Sequence, residues 1–361
     1  MEKFRNFIFG ISLVFFLLAP TAVIANEYND GWNGIIAENV YPWGSRVWEK
    51  WERTKPNKKL MIGISVPSMS SPYFVNQVYG YITEAKATGA GITVLAAHGY
   101  EDIQGQISQV ENLMQKGVDA LIIAPTSAEA LTMVSEEAAS RGIPVYFIGE
   151  AAITDKLKGY ICENDFDFGF KGIDWLGKKL EGKGKIAILP GPAGSTYTEA
   201  INKGAHAALK NFPGLELVAE KWGDGEDPAV GQSVAENIMN AHPDLDGFFV
   251  VEAQGHGVAN AVIEAKKKDR IHVVMAYPFQ ATIPYVQNGS IDYGVTGHSL
   301  TNARILINMI IKNHNEENKV PKYVWTEGLI MEKSNISQFP RNHVWAPEGW
   351  VPPSSMVVQS K

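Results

Sequence analysis

From Lys59 onward, short apolar runs alternate with longer stretches whose apolar residues recur every three or four positions. The short runs read as buried strands, and the spaced stretches as helices with one apolar face. The first set of strands is Leu60 to Val66, Ile92 to Ala97, Ala120 to Ala124 and Val145 to Ile148. Helices at Tyr73 to Thr88, Ile103 to Lys116 and Ala128 to Arg141 separate them. After a linker at Ala151 to Lys158 the alternation returns, with strands Lys185 to Leu189, Leu215 to Lys221, Gly247 to Val251, His272 to Ala276 and Tyr293 to Val295. Its helices are Tyr197 to Lys210, Pro228 to Ala241, His256 to Lys267 and Thr301 to Lys312, and Tyr323 to Met331 is strand-like. Strands alternating with helices of this length imply right-handed βαβ units and a parallel sheet. The pattern occurs twice, so the predicted fold class is α/β, with two doubly wound parallel-sheet lobes.

The stretch from Lys183 to Ala207 shows what such a fold offers a ligand. An apolar strand ends at Pro190-Gly191-Pro192-Ala193-Gly194, and Ser195 or Thr196 then caps a helix starting near Tyr197. Glycines permit a tight turn there, and the helix start leaves backbone N–H groups beside the crevice at the strand carboxyl ends.

The N-terminus follows other rules. Met1-Glu2-Lys3-Phe4-Arg5 precedes an apolar stretch from Ile8 to Leu18, with small or branched residues at Val23-Ile24-Ala25. This is the pattern of a secretory signal peptide over residues 1–25, cleaved near Ala25, and it places the mature protein in the periplasm. Residues 26–57 form a Trp-rich arm with Trp32, Trp43, Trp48 and Trp51, of which Trp43, in a Tyr-Pro-Trp-Gly turn, is the candidate to cover a ligand.

Composition adds exclusions. The net charge of −7 is spread along the chain and no basic stripe stands out, which argues against nucleic acid. The single cysteine, Cys162, cannot form an internal disulfide and follows Tyr160-Ile161 as part of a buried strand. There is no G-x-S-x-G elbow, H-E-x-x-H pair or phosphate loop, so neither an enzyme nor a bound metal or cofactor is expected.

Several motifs resemble the ribose-type (type I) periplasmic binding proteins: Ser71-Pro72-Tyr73-Phe74, Ala124-Pro125-Thr126, Asn164-Asp165, Gly191-Pro192-Ala193-Gly194-Ser195 and Ala241-His242-Pro243-Asp244-Leu245-Asp246. The resemblance implies two lobes joined by a three-segment hinge near Glu163 to Asp165, Gly297 to Leu300 and Lys322 to Trp325. It divides the chain into a first lobe of residues 58–163 plus 299–323 and a second of 164–298 plus 324–361. Within that class, Pro67-Ser68, Ala97-His98-Gly99-Tyr100, Leu189-Pro190-Gly191-Pro192, Tyr277 and the tail Pro347-Glu348-Gly349-Trp350-Val351-Pro352 look most like the TorT-type trimethylamine N-oxide-binding sensors. The implied partner is the periplasmic domain of a membrane sensor histidine kinase. The alternative is an ABC permease served by a sugar or polyol receptor.

The sugar-binding pattern of this class places an Arg, an Asn-Asp pair and an Asp where this chain has Ala200-Ile201, Gln254-Gly255 and Tyr277. Buried sugar hydroxyls need such partners, at roughly 1–3 kcal/mol for each one left unpaired. Aromatic groups suit a cationic or methylated centre instead, at roughly 0.5–2 kcal/mol per good contact. The candidate ligand-binding residues are therefore Trp43, Ser71, Tyr73, Phe74, Glu150, Asp165, Tyr197, Gln254 and Tyr277. Asp165 serves either as a hinge cap or as the ligand's polar anchor.

Overall fold

The computed structural model describes residues 39–41, 53–150, 152–223, 225–316, 320, 322–326, 328–353 and 356–360. The stretch expected to be a signal peptide, its expected cleavage site and most of the Trp-rich arm, Trp43 included, lie outside the described residues.

The first lobe runs β1 (Asn39–Tyr41), β2 (Met61–Val66), α1 (Pro72–Thr88), β3 (Gly91–Ala96), α2 (Ile103–Gln115), β4 (Ala120–Ile123), α3 (Ala128–Ser140), β5 (Val145–Ile148) and β6 (Gly159–Glu163). Every residue of β4, β5 and β6 is buried, as a parallel strand covered by helices on both faces requires. The chain then crosses into the second lobe with α4 (Asp165–Lys179), β7 (Lys183–Gly191), α5 (Thr196–Leu209), β8 (Gly214–Trp222), α6 (Pro228–Ala241), β9 (Gly247–Val251), α7 (Gln254–Glu264), β10 (His272–Ala276), α8 (Ile283–Asn288) and β11 (Tyr293–Thr296). The helix α9 (Ser299–His314) returns to the first lobe, packing Leu306, Met309 and Ile310 into the core built on Ile62, Ile64 and Val78.

A strand, β12 (Tyr323–Thr326), follows in the first sheet; β13 (Leu329–Glu332) lies in the second; α10 (Arg341–Val344) and β14 (Val357–Val358) complete the chain. The first sheet has the order β1-β12-β6-β5-β4-β2-β3-β14, and the second β13-β11-β10-β9-β7-β8. Pairing is parallel except at β13 and β14. This is the two-lobe architecture the alternation predicts, with the chain crossing between sheets after β6, after β11 and after β12.

Two boundaries differ from expectation. Tyr323 to Met331 is not one strand, and residues 324–361 do not all belong to the second lobe. Residues 323–326 lie parallel beside β6, because that edge would otherwise leave buried ladder groups unpaired. The third crossing therefore falls after Thr326 rather than within Lys322 to Trp325. The tail also crosses back. Trp345 sits in the second-lobe core against Phe339, the Ala346 N–H donates to Asn76 Oδ1 of α1 at 2.8 Å, and Trp350 packs on Tyr79 of α1. Val357 and Val358 then pair antiparallel with β3 and cover its edge.

Glu163 is central to the crossings. It is fully buried at the end of β6, and its Oε1 accepts from Asn302 Nδ2 of α9 at 3.0 Å. Asn302 also donates to Thr326 Oγ1 of β12. A Cβ on Gly297, at the second crossing, would stand 2.4 Å from Glu163 Cγ, so only glycine lets the strands approach this closely.

Candidate functional site

The two sheets point their carboxyl ends at a common cleft, where ligands sit in open parallel sheets. On the first-lobe side, Ser71 precedes α1, Tyr73 and Phe74 lie in its first turn, and Glu150 follows β5. On the second-lobe side, Tyr197 occupies the first turn of α5, Glu252 follows β9 directly and Tyr277 follows β10 directly. Tyr100, Glu226 and Phe279 complete the rim. Water centres have about 40 Å³ of space among these groups. At roughly 10–15 Å³ per water, the cleft is nearly filled by its own side chains. A larger depression of about 590 Å³ lies at the opposite end of the first lobe, around Asp119, Lys158 and His314, and shares no lining residue with the cleft.

Tyr277 stands at the centre. Its ring meets those of Tyr73, Tyr197 and Phe168 at centroid distances of 6.1, 5.9 and 5.1 Å. The Tyr73 and Tyr197 contacts are edge-to-face, the arrangement ring quadrupoles favour. Tyr277 and Glu252 have φ of 56° and 61°, left-handed backbone that costs a non-glycine residue on the order of 1–3 kcal/mol. Sheet bonds hold both in place: the Tyr277 N–H donates to the Val295 carbonyl and the Glu252 N–H to the Ala276 carbonyl. Both strained residues turn their side chains into the cleft.

Each of the three tyrosines donates its hydroxyl to a carboxylate. Tyr73 donates to Glu163 Oε2 at 3.0 Å, Tyr197 to Glu252 Oε1 at 3.1 Å, and Tyr277 to Asp165 Oδ1. Burial pushes Glu163 and Glu150 up to about 7, and burial with the neighbouring Glu163 raises Asp165 well above the usual carboxylate range. The tyrosine hydroxyls are raised too, first by burial and then by these carboxylates, so they remain protonated donors. Among the described residues that line the cleft there is no Lys, Arg or His.

Of the residues expected from sequence, the structure brings Ser71, Tyr73, Phe74, Glu150, Tyr197 and Tyr277 together on the cleft wall. Asp165 does not line it. At 3% exposure it stands behind Tyr277 and holds that hydroxyl, while the helix cap is its neighbour Asn164, which accepts from the Asp167 N–H. Gln254 does not line it either. Helix α7 begins at Gln254, whose backbone packs against Gly231 of α6, so the residue is buried between helices. Glu252, two positions earlier, takes the place at the strand end. The signal for Glu252 was available, since it is the first polar residue after the apolar run Gly247 to Val251. Glu226 and Phe279 lie in loops whose paths no periodicity predicts.

A family model described as "Periplasmic binding protein domain" matches residues 62–317. The chain belongs to the periplasmic binding protein family. The ribose import binding protein RbsB of Bacillus subtilis is 31% identical over 202 residues, a match covering 56% of this chain and 65% of that relative, just under two thirds of its length. The D-allose-binding periplasmic protein of Escherichia coli is 28% identical, with 66% of this chain and 82% of that protein covered. The xylitol-binding protein of Mycolicibacterium smegmatis is 28% identical, with 64% and 68% covered. Among solved structures, an ABC transporter solute-binding protein from Bradyrhizobium sp. BTAi1 with bound bis-tris superposes at a TM-score of 0.77, at 24% identity, covering 83% of this chain and 90% of that one. One from Actinobacillus succinogenes with bound D-allose reaches 0.72 at 24% identity, covering 78% and 100%. These members of the periplasmic binding protein family are solute-binding proteins, and their likeness in structure is one of fold.

Proposed function

We propose that this chain is a periplasmic solute-binding protein that closes its two lobes on one small ligand carrying a positively charged or methylated nitrogen. The observation behind the ligand class is the cleft lining: tyrosine and phenylalanine rings with Glu150, Glu226 and Glu252, and no basic side chain among the described residues. An alkylammonium group gains from the ring faces and from the surrounding carboxylates alike. In trimethylamine N-oxide, the oxide oxygen needs a donor, which a tyrosine hydroxyl or a protonated Glu150 supplies. The small cleft favours a compact guest of this kind.

The relatives favour an importer. Their names refer to ribose, D-allose and xylitol, so an ABC permease is the partner their similarity supports, and a neutral sugar or polyol is the second reading of the ligand. A sensor histidine kinase partner rests on the motif and tail resemblance alone. A thermal-shift and calorimetric panel tests the ligand class, because a ligand that binds only the folded state raises the melting temperature. Tetramethylammonium or trimethylamine N-oxide should stabilise the protein, while ribose, allose and xylitol should not. Tight binding of a sugar with no response to the ammonium compounds would replace this reading by the second.

A further inference from the structure

Glu84 shows how this fold treats a buried carboxylate that has only a structural role. It is 2% exposed on α1, and Arg53 meets it with two bonds, Nε to Oε1 at 2.7 Å and Nη2 to Oε2 at 2.8 Å. Asn308 adds a third donor. Among the described residues, no such cation bonds the carboxyl groups beneath the cleft. Glu163 is 0% and Asp165 3% exposed, and among the described residues their side-chain hydrogen-bond partners are uncharged: Tyr73 and Asn302 for Glu163, Tyr277 for Asp165. Glu150 stands on the wall itself, with one carboxylate oxygen buried.

Among the described residues, the groups that meet this cluster are mostly neutral, with the titratable His298 at the second crossing beside Glu163. Tyr73 and Tyr81 of α1 face Glu163; Cys162 of β6 lies among all three carboxyls; Tyr277 stands over Asp165; the backbone at His298 bonds Glu163; Thr196 of α5 bonds Glu150. Several buried carboxylates cannot all be ionised in such surroundings, so the ligand-free site keeps part of its charge neutralised by protons.

We propose that a cationic ligand enters this cleft in exchange for protons held on Glu150, Glu163 and Asp165. This rests on the cationic-ligand reading above. The ligand brings one positive charge beside Tyr73 and Tyr277, whose hydroxyls connect directly to Glu163 and Asp165. The carboxyl proton leaves to solvent and the carboxylate stays, so the total charge of the site is unchanged. Glu163 acts as a positioning residue through Tyr73, and the exchange couples ligand capture to the segment where the lobes cross.

Titration calorimetry with tetramethylammonium chloride, which has no proton of its own to lose, tests the exchange. The binding enthalpy at pH 7 should differ between phosphate and Tris buffers in proportion to a proton released. With a group titrating near 7, affinity should rise about tenfold between pH 6 and pH 8. Glu163→Gln should still bind while releasing fewer protons and showing a flatter pH profile, and Asp165→Asn is the second variant should the first fail to fold. Binding with neither buffer nor pH dependence overturns the exchange and leaves the ligand class standing. No binding of tetramethylammonium at any pH overturns the cationic reading of the ligand, and the exchange with it.

Discussion

Tyr73 of the first lobe and Tyr277 of the second meet edge to face across the cleft, 6.1 Å between centroids and 86° between planes. Each is anchored from behind by a buried carboxyl, Glu163 for one and Asp165 for the other. This ring contact therefore spans the two lobes. Tyr277→Ala should weaken binding of the physiological ligand by about 1–3 kcal/mol, through lost ring contact and burial. Tyr277→Phe should keep most of the affinity if the ring face does the binding. Unchanged affinity in Tyr277→Ala, measured by calorimetry, removes this residue from the site.

Gly297 offers a test of the hinge that does not involve the ligand. A methyl group there would press on Glu163 Cγ at 2.4 Å, with Glu163 Oε1 and Cδ also within 3 Å. Gly297→Ala should cost about 1–3 kcal/mol of stability, as overpacking of a filled interior does. Urea denaturation measures it, and a variant as stable as the parent would show that the crossing strands can part.

The pH dependence of stability has a definite sign. Glu150 and Glu163 rise from 4.5 to about 7 on folding, so the folded state binds protons more tightly than the unfolded chain. Their contribution is fully present below pH 4.5 and is lost as pH rises through about 7. The melting temperature of the ligand-free protein should fall between pH 5 and pH 8, and Glu163→Gln should flatten that fall. A rise over the same range would mean that other groups dominate.

The tail from Trp345 to Val358 ties the second-lobe core to α1 and β3. Trp350→Ala removes the ring that packs on Tyr79, 5.1 Å away between centroids. The ligand-free variant should sample a wider opening, visible as a larger radius of gyration in solution scattering. The ligand-bound variant should match the parent, because closure then holds the lobes together. Identical ligand-free profiles would limit the tail to covering the edge of β3.

Sequence alone determined the repeated βα alternation, because strands buried on both faces must be continuous apolar runs and their helices must carry a three-and-four stripe. It also placed Tyr73, Glu150, Tyr197 and Tyr277 among the candidates for one crevice, since each follows a strand and the carboxyl ends of a parallel sheet share one edge. Tertiary structure alone decided what stands behind them. Asp165 and Gln254 lie at helix starts, where a few degrees of rotation settle whether a side chain faces the cleft or the helix behind it. Tyr323–Thr326 and Val357–Val358 pair with edges left open by strands far away in the chain, which no local pattern encodes. The same distance separates Glu163 from Asn302, and Tyr277 from Asp165. Whether a buried carboxyl keeps its proton depends on such long-range neighbours, and so on the fold.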